Sequence, residues 1–100
     1  MREIESMTLV AKITKAGNVI VFYIPARKNK GKETLMRKLV QHHYAIVELN
    51  IDGSKIRFPS TIHRINISQA YLTIPRKIIS RILNKYKIDD YIKINVYLIS

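Results

Sequence analysis

The 100-residue sequence contains no cysteine, and it has only three glycines, three prolines and seven acidic residues. Without cysteine, neither a disulfide framework nor a thiolate zinc site stabilises so small a chain. No stretch approaches the roughly 18 consecutive apolar residues that a membrane span requires, and the charged start Met1-Arg2-Glu3 leads into no apolar signal segment. We therefore expect a soluble, cytoplasmic domain that is held together by packing alone and has no membrane partner.

The residues that are present supply a core and a large positive charge. Hydrophobic residues make up 47% of the chain, which is enough for one compact domain. Lysine and arginine number 18, for a net charge of +11, and each half of the chain carries nine of them. A compact domain bears such self-repulsion at a cost, so the simplest explanation is a polyanionic partner. The heavy use of isoleucine and lysine is typical of thermophilic archaea and their viruses.

Catalytic and metal-binding patterns are missing. The sequence shows no Ser/His/Asp set, no paired carboxylates and no phosphate-binding glycine loop. His42, His43 and His63 have no neighbouring carboxylate or thiolate at metal-ligand spacing, so we interpret them as surface or boundary residues. Most tyrosines lie in or beside predicted strands, where aromatic residues pack, rather than on a platform for single-stranded bases. We expect no enzyme, cofactor, metal or small-molecule substrate.

The first half of the chain predicts a hairpin, a helix and a third strand. Leu9, Ala11 and Ile13 alternate with more polar residues, as in a strand with one buried face. Residues 19–24 are β-branched or aromatic almost throughout, which predicts a strand buried on both faces. In order, the predicted elements are a strand over 8–15, a turn over 16–18, a strand over 19–24 that Pro25 ends, a basic loop over 26–32, a helix over 33–43 and a strand over 45–51.

The second half repeats this order of elements at unequal spacing. Ile24-Pro25 and Ile74-Pro75 lie 50 positions apart, and apolar residues spaced i, i+1, i+4 and i+5 begin at Leu35 and again at Ile78. The predicted elements are a strand over 61–67, a turn over 68–70, a strand over 71–74, a helix over 76–86 and a strand over 91–99. We expect one domain, 1–100, made of two repeats, about 7–51 and about 56–99, that the turn Asp52-Gly53 joins.

The stretch from Ala11 to Pro25, AKITKAGNVIVFYIP, resembles the AbrB/SpoVT family of swapped-hairpin transcription regulators. In that family a strand, a turn and a strand ending in Ile-Pro precede a short helix and a further strand. The second half resembles it through LTIPRKII, residues 72–79, and through Asp89-Asp90 before the last strand. The chain departs from the family in its long loop after Pro25, in His42-His43-Tyr44 where Gly-Asp is usual, and in a second turn without glycine.

The resemblance implies a fold and a function. Family members usually build the domain from two chains that each lend a hairpin, so two copies in one chain are expected to form an intramolecular pseudo-dimer. We expect a mainly β fold with two short helices (α+β), a swapped-hairpin β-barrel on which the basic residues of both hairpins converge. The implied function is that of a transcription regulator that binds double-stranded DNA, in the cytoplasm or, for a viral protein, in the host cytoplasm.

Twelve residues are candidates for the contact with DNA. The resemblance implies contacts from the hairpins, by Lys12, Lys15, Asn18, His63, Arg64 and Gln69. The densest basic cluster predicts a flexible loop that grips phosphates, with Arg27, Lys28, Lys30 and Lys32. The first turn of the second helix holds Arg76 and Lys77, where the macrodipole favours acids, which indicates a bound anion or a tolerated repulsion. Taken singly, each lysine is equally a solubilising charge; for the set, the net charge favours binding.

Other functions stay open at this point. The chain could be an antitoxin-like protein-interaction module, although such members usually carry a long acidic or disordered C-terminal tail and this chain ends soon after a predicted strand. It could also be a sequence-indifferent architectural or RNA-binding protein. Further self-association of two pseudo-dimers is open as well.

Overall fold

The structure, a computed structural model, describes residues 4–99; residues 1–3 and 100 of the predicted domain lie outside the described residues. The elements follow one another twice in the order long strand, short strand, helix, strand. They are β1 (Ile4–Ala16), β2 (Val19–Tyr23), α1 (Glu33–Leu39), β3 (Tyr44–Ile51), β4 (Ser54–Asn66), β5 (Gln69–Thr73), α2 (Arg76–Lys85) and β6 (Tyr91–Ile99). A short 3-10 helix, Ala26–Lys28, precedes α1.

Six antiparallel strands close into a barrel in the order β1-β2-β5-β4-β3-β6, with β6 returning to β1. The hairpins β1-β2 and β4-β5 lie side by side because β2 pairs with β5. On their other sides, β1 pairs with β6 over residues 4–12, and β4 pairs with β3. The pairing of β3 with β6 completes the barrel. The prediction of a mainly β fold with two short helices is confirmed.

The core fills the barrel and follows from the alternation of apolar residues. Leu9, Ala11 and Ile13 of β1 are fully buried, as the alternation predicts. The alternating residues of β6 are buried in the same way: Ile92, Ile94, Val96 and Leu98. The helices add Met36, Leu39, Ile78 and Ile82 to the same cluster. Burial of one such Leu or Ile side chain stabilises by about 1.5–3 kcal/mol, so packing holds the chain together without disulfides.

Both helices are shorter than predicted. Helix α1 ends at Leu39 rather than at residue 43, because the amides of Gln41 and His42 donate three residues back, to the carbonyls of Lys38 and Leu39, and close the last turn. Helix α2 ends one residue before the predicted position. Leu83, which belongs to the predicted apolar stripe of α2, is 39% exposed, whereas Ile78 and Ile82 of the same stripe are buried.

The fourth strand is much longer than the predicted strand over 61–67. It begins at Ser54, so Pro59 lies inside it, opposite Ile46 of β3. The amide of Thr61 donates to Thr73 Oγ1 on the β5 side, and by alternation the nitrogen of Pro59 faces that same side, beyond the last residue of β5. Proline is therefore tolerated here because its missing N–H removes no ladder bond to β3.

Two further predictions about the strands were wrong. The strand over 19–24 is not buried on both faces, since Val19 is 57% exposed and Ile20 and Tyr23 are half-buried. The second hairpin turn lies at Ile67-Ser68 rather than at 68–70, and Gln69 already belongs to β5. Between β3 and β4, Asp52 and Gly53 both have positive φ, at 52° and 82°, as a tight two-residue hairpin turn requires.

A carboxylate joins β3 to β6 on the outside of the barrel. Because it alternates with the buried residues Val47 and Leu49, Glu48 lies on the outer face of β3, yet it is only 4% exposed. Asn95 Nδ2 and the Tyr97 hydroxyl donate to its Oε1 over 3.1 and 3.3 Å, and Arg57 Nε donates to its Oε2. The hydrogen bond from Arg57 and then the one from Asn95 lower the pKa of Glu48 below its ordinary value. The carboxylate of Glu48 is thus paired with a cation, and both of its oxygens accept hydrogen bonds.

We expect Glu48→Gln to destabilise the protein at neutral pH and to do so less at acid pH. A carboxylate whose pKa is lowered by folding contributes stability that is complete above the ordinary pKa of about 4.3 and is lost as the pH falls through the lower pKa of the folded state. Urea unfolding of wild type and variant at pH 7 and pH 3 measures the difference. Glu5→Gln, which removes an exposed carboxylate, is the control. A stability difference of equal size at both pH values would contradict the prediction.

Candidate nucleic-acid interface

A row of side chains crosses the outer surface of the two hairpins. The ladders place Tyr91 opposite Lys12, Lys12 opposite Tyr23, Tyr23 opposite Tyr71 and Tyr71 opposite His63. Residues that lie opposite each other in antiparallel strands share one face of the sheet. The preceding or following residues Ala11, Phe22, Leu72 and Ile62 point into the barrel and are buried, so this row points outward. We call the outer surface of β1, β2, β5 and β4 around this row the hairpin face.

Three cations surround Tyr91 at one end of the row. Lys28 Nζ lies 4.8 Å and Lys12 Nζ 6.0 Å from the centroid of the Tyr91 ring, and Arg27 lines the same depression as Tyr91. The hydrogen bond from Arg27, together with the charges of Lys12 and Lys28, lowers the pKa of the Tyr91 phenol. The three cations create a local positive potential that favours anions, and Tyr91 is 38% exposed.

The same end contains an open depression of about 370 Å³ that both hairpins line. Gln69 of the second hairpin donates from Nε2 to the Tyr23 hydroxyl of the first, over 2.7 Å. The lining residues are Lys12, Tyr23, Pro25, Ala26, Arg27, Gln69 and Tyr91. We call this region, with Lys28, the Tyr91 end. It offers cations for phosphates. The Gln69 amide is of the type that reads base edges, and its Oε1 also accepts a hydrogen bond from Asn66 Nδ2.

The basic loop over 26–32 is anchored to β1 rather than flexible as predicted. Asn29 is 3% exposed, and its side-chain amide accepts from the Val10 amide and donates to the carbonyls of Val10 and Pro25, over 2.7 to 3.0 Å. Asn29 thereby continues the ladder beside β1 beyond the end of β2. The ammonium of Lys32 donates to the carbonyl of Thr8 and ties down the end of the loop. This anchoring holds the loop against the Tyr91 end.

The other end of the hairpin face is more apolar. An open depression of about 500 Å³ contains three of the predicted residues, Asn18, His63 and Arg76. The remaining lining residues are Val19, Ile20, Val21, Thr73, Ile74 and Ile79. We call this region the Arg76 end. Arg76 and its neighbour Lys77 are exposed in the first turn of α2, as predicted, and that turn contains no acidic residue.

The structure gathers seven of the twelve predicted residues at these two ends and leaves five outside them. Gathered are Lys12, Arg27, Lys28 and Gln69 at the Tyr91 end, and Asn18, His63 and Arg76 at the Arg76 end. Outside both depressions lie Lys15, Lys30, Lys32, Arg64 and Lys77. Lys32 is half-buried in its structural contact, whereas the other four are exposed at the surface. Arg64 donates from Nε to the carbonyl of Asn66, within its own strand.

Few of these cations are neutralised by acids. Within residues 4–99, Lys12 is the one predicted residue in an ion pair, 3.6 Å from Asp89. Both partners are partly exposed, so the pair contributes little stability and leaves Lys12 able to exchange partners. The other ion pairs in the described part of the chain involve Lys38, Arg57 and Lys85, none of them a predicted site residue. The positive charge of the hairpin face is therefore available to an external polyanion.

The tyrosines of the row were not among the predicted site residues, because aromatic residues in strands were expected to pack in the core or the sheet. Tyr23 and Tyr71 pack against each other, with ring centroids 5.6 Å apart, but on the outer face and half-buried. Tyr44 and Tyr91 are exposed. The row can be recognised only from the register of neighbouring strands. Alternation within a single strand does not give that register.

Comparison with known proteins gives no indication of the function of this chain. No protein-family model, no curated protein and no solved structure matches the chain. Among the described residues, no group of three or more His, Asp or Glu side chains is placed to hold a metal ion. No helix between residues 4 and 99 has the length and apolar character needed to cross a membrane.

We expect Asn29→Ala to destabilise the protein by about 1–3 kcal/mol, because it leaves backbone polar groups of Val10 and Pro25 without their partner. Urea unfolding measures the stability, and amide hydrogen exchange of Val10 reports the local opening. Asn84→Ala, on the exposed side of α2, is the control and is expected to change stability by less than about 0.5 kcal/mol. Unchanged exchange at Val10 in Asn29→Ala would show that the loop is not anchored there.

Proposed function

We propose that this protein is a transcription regulator that binds double-stranded DNA through the hairpin face, in the cytoplasm of its cell or, for a viral protein, of the host. The observation that carries the proposal is the row from Tyr91 to His63 with unneutralised cations at both of its ends. A net charge of +11 draws the chain to a polyanion, and the two ends of the hairpin face contain the cations Lys12, Arg27, Lys28 and Arg76 together with the amides of Asn18 and Gln69.

The chemistry of the face suits a duplex. Arg27, Lys28 and Arg76 are exposed and carry the charge that phosphate oxygens require. Asn18 and Gln69 lie in or beside the hairpin turns, where amides meet base edges in the major groove when a two-stranded ribbon enters it. The two hairpins would thus position the protein by phosphates and read bases with a few side chains between them.

The strand registers support an internal pseudo-dimer of the swapped-hairpin type. A shift of 49 residues carries β1 onto β4, and a shift of 47 carries β3 onto β6. Under these shifts the pair Leu9–Ile94 becomes Phe58–Val47, and both pairs are present in the ladders. We propose that each half lends its last strand to the long strand of the other half, as the resemblance to the AbrB/SpoVT family implies.

The proposed symmetry has one interruption, in β4. The ladder between β4 and β5 shifts register between Arg64 and Asn66, so β4 contains one residue more than β1 before its turn. Beyond this bulge the shift between the halves is 50, and Ala16 opposite Val19 corresponds to Asn66 opposite Gln69. Phe22 then lies opposite its own equivalent, Leu72, which puts the proposed twofold axis between β2 and β5.

We expect a labelled duplex to bind the protein at low salt, with an affinity that falls steeply as salt rises. Arg27→Gln/Lys28→Gln removes two charges at the Tyr91 end. If each charge contacts one phosphate, the variant loses affinity about tenfold or more at 100 mM salt. The slope of log K plotted against the logarithm of the salt concentration becomes shallower by about 1.8. Mobility shift at several salt concentrations measures both quantities.

Lys55→Gln/Lys85→Gln is the matched control, since it removes two charges beside the Asp52 turn, away from the hairpin face. It is expected to change the affinity less than about threefold. Equal losses in the two double variants would mean that net charge alone attracts DNA. An absence of duplex binding at low salt would overturn the proposal, and preferential binding of single strands or RNA in competition would replace it with the corresponding function.

A further inference from the structure

We infer that the two ends of the hairpin face are unequal half-sites, so that the protein binds a non-palindromic duplex in one fixed orientation, with the Tyr91 end making the stronger contact to phosphates. The inference rests on the proposed function, since it concerns how the same face meets DNA. It follows from comparing the residues that occupy equivalent positions in the two halves.

The equivalence of positions is read from the ladders. In the β6–β1 ladder Tyr91 lies opposite Lys12, and in the β3–β4 ladder Tyr44 lies opposite Thr61. The shifts of 47 and 49 carry one pair onto the other. In the hairpins, where the shift is 50, the equivalents are Tyr23 and Thr73, and Val19 and Gln69. Past the hairpins, Arg27 lies two residues after Pro25, and Lys77 lies two residues after Pro75.

Equivalent positions at the two ends carry side chains of different chemistry. Where the Tyr91 end has the cation Lys12, the Arg76 end has Thr61, which is half-buried and whose amide donates to Thr73. Where the Tyr91 end has the amide of Gln69, the Arg76 end has Val19, which is 57% exposed. An exposed valine suits the methyl group of thymine, whereas an amide suits the donor and acceptor edge of adenine. The two ends therefore favour different bases.

The basic loop exists at one end alone. Seven residues separate Pro25 from α1, whereas α2 starts directly after Pro75. The loop brings Lys28 over the ring of Tyr91, and the anchoring by Asn29 holds it there. Tyr44, the equivalent of Tyr91, is 72% exposed, and among the described residues no lysine or arginine lies over its ring. The positive potential is therefore concentrated at the Tyr91 end.

Unequal half-sites change the kind of DNA that fits. Two identical half-sites about a twofold axis match a palindrome, which presents the same bases and phosphates to each. Here a palindrome would place one of its halves against the end that does not favour it. A non-palindromic site satisfies both ends, and it does so in one orientation because the reverse orientation exchanges the half-sites.

A matched pair of variants tests the inequality of phosphate contact. Arg27→Gln and Lys77→Gln each remove one exposed charge two residues after the proline that follows a hairpin, so they change the net charge equally. We expect Arg27→Gln to weaken duplex binding about tenfold and Lys77→Gln to weaken it less than about threefold. Equal weakening by both variants would overturn the claim of a stronger end.

A cleavage experiment tests the fixed orientation. The chain has no cysteine, so Lys30→Cys beside the Tyr91 end and Ser80→Cys on α2 each give a single site for an iron chelate. A duplex first selected from a random pool is then cleaved by each conjugate. We expect a non-palindromic site, cut by the two conjugates on opposite flanks, each on one flank only.

The outcomes separate this inference from the function on which it rests. Selected duplexes that are palindromic, or that both conjugates cut on both flanks, would overturn the inference while the proposed function stands. A pool from which no duplex is retained at low salt would overturn the proposed function and the inference with it. Unselective retention with cleavage spread evenly along the duplex would also overturn the inference and would indicate an architectural protein.

Discussion

The closure of the barrel by two short seams is the constraint on which the rest of the structure depends. Each seam, β2 against β5 and β3 against β6, consists of three opposed residue pairs. In the proposed pseudo-dimer, equivalent residues meet at each seam, Phe22 with Leu72 and Glu48 with Asn95. Two carboxylates opposite each other at the second seam would repel, whereas Asn95 donates a hydrogen bond to Glu48 instead. A single chain with two different halves can place a charge at its own symmetry axis; two identical chains could do so only against repulsion.

The first seam, between β2 and β5, forms the surface that we propose binds DNA. Because β2 pairs with β5, Tyr23 lies beside Tyr71 and Gln69 reaches the hydroxyl of Tyr23, so the two hairpins form one continuous outer face. Three acids pair elsewhere, Glu48 at the second seam, Glu5 with Lys38 and Asp52 with Lys85, whereas Asp89 pairs with Lys12 of the row. Among residues 4–99 the other candidate cations of the hairpin face form no ion pair, which is the condition for binding a polyanion by exchange of counterions.

Much of the fold could be predicted from the sequence, because alternation within a strand reports burial directly. The buried faces of β1 and β6 and the apolar stripe of α1 followed from spacing alone. The first half of β4 was missed because proline, here Pro59, is typical of the end of a strand. Pro59 is tolerated inside β4 because, within residues 4–99, no neighbouring strand lies on the side that its nitrogen faces. The burial of Glu48 and the anchoring by Asn29 were missed because their partners are distant in the chain. For the same reason the twelve candidate residues could be named from charge and turn position, but not the tyrosines that connect them.

Backbone amide chemical shifts, recorded while a short duplex is added to the full chain at low salt, show where on the protein DNA binds. We expect changes confined to the hairpin face and the basic loop, including Lys12, Tyr23, Gln69 and Arg27, with little change at the seam of β3 and β6. Changes centred on Glu48, Arg57 and Asn95, or no changes at equimolar duplex, would contradict this expectation.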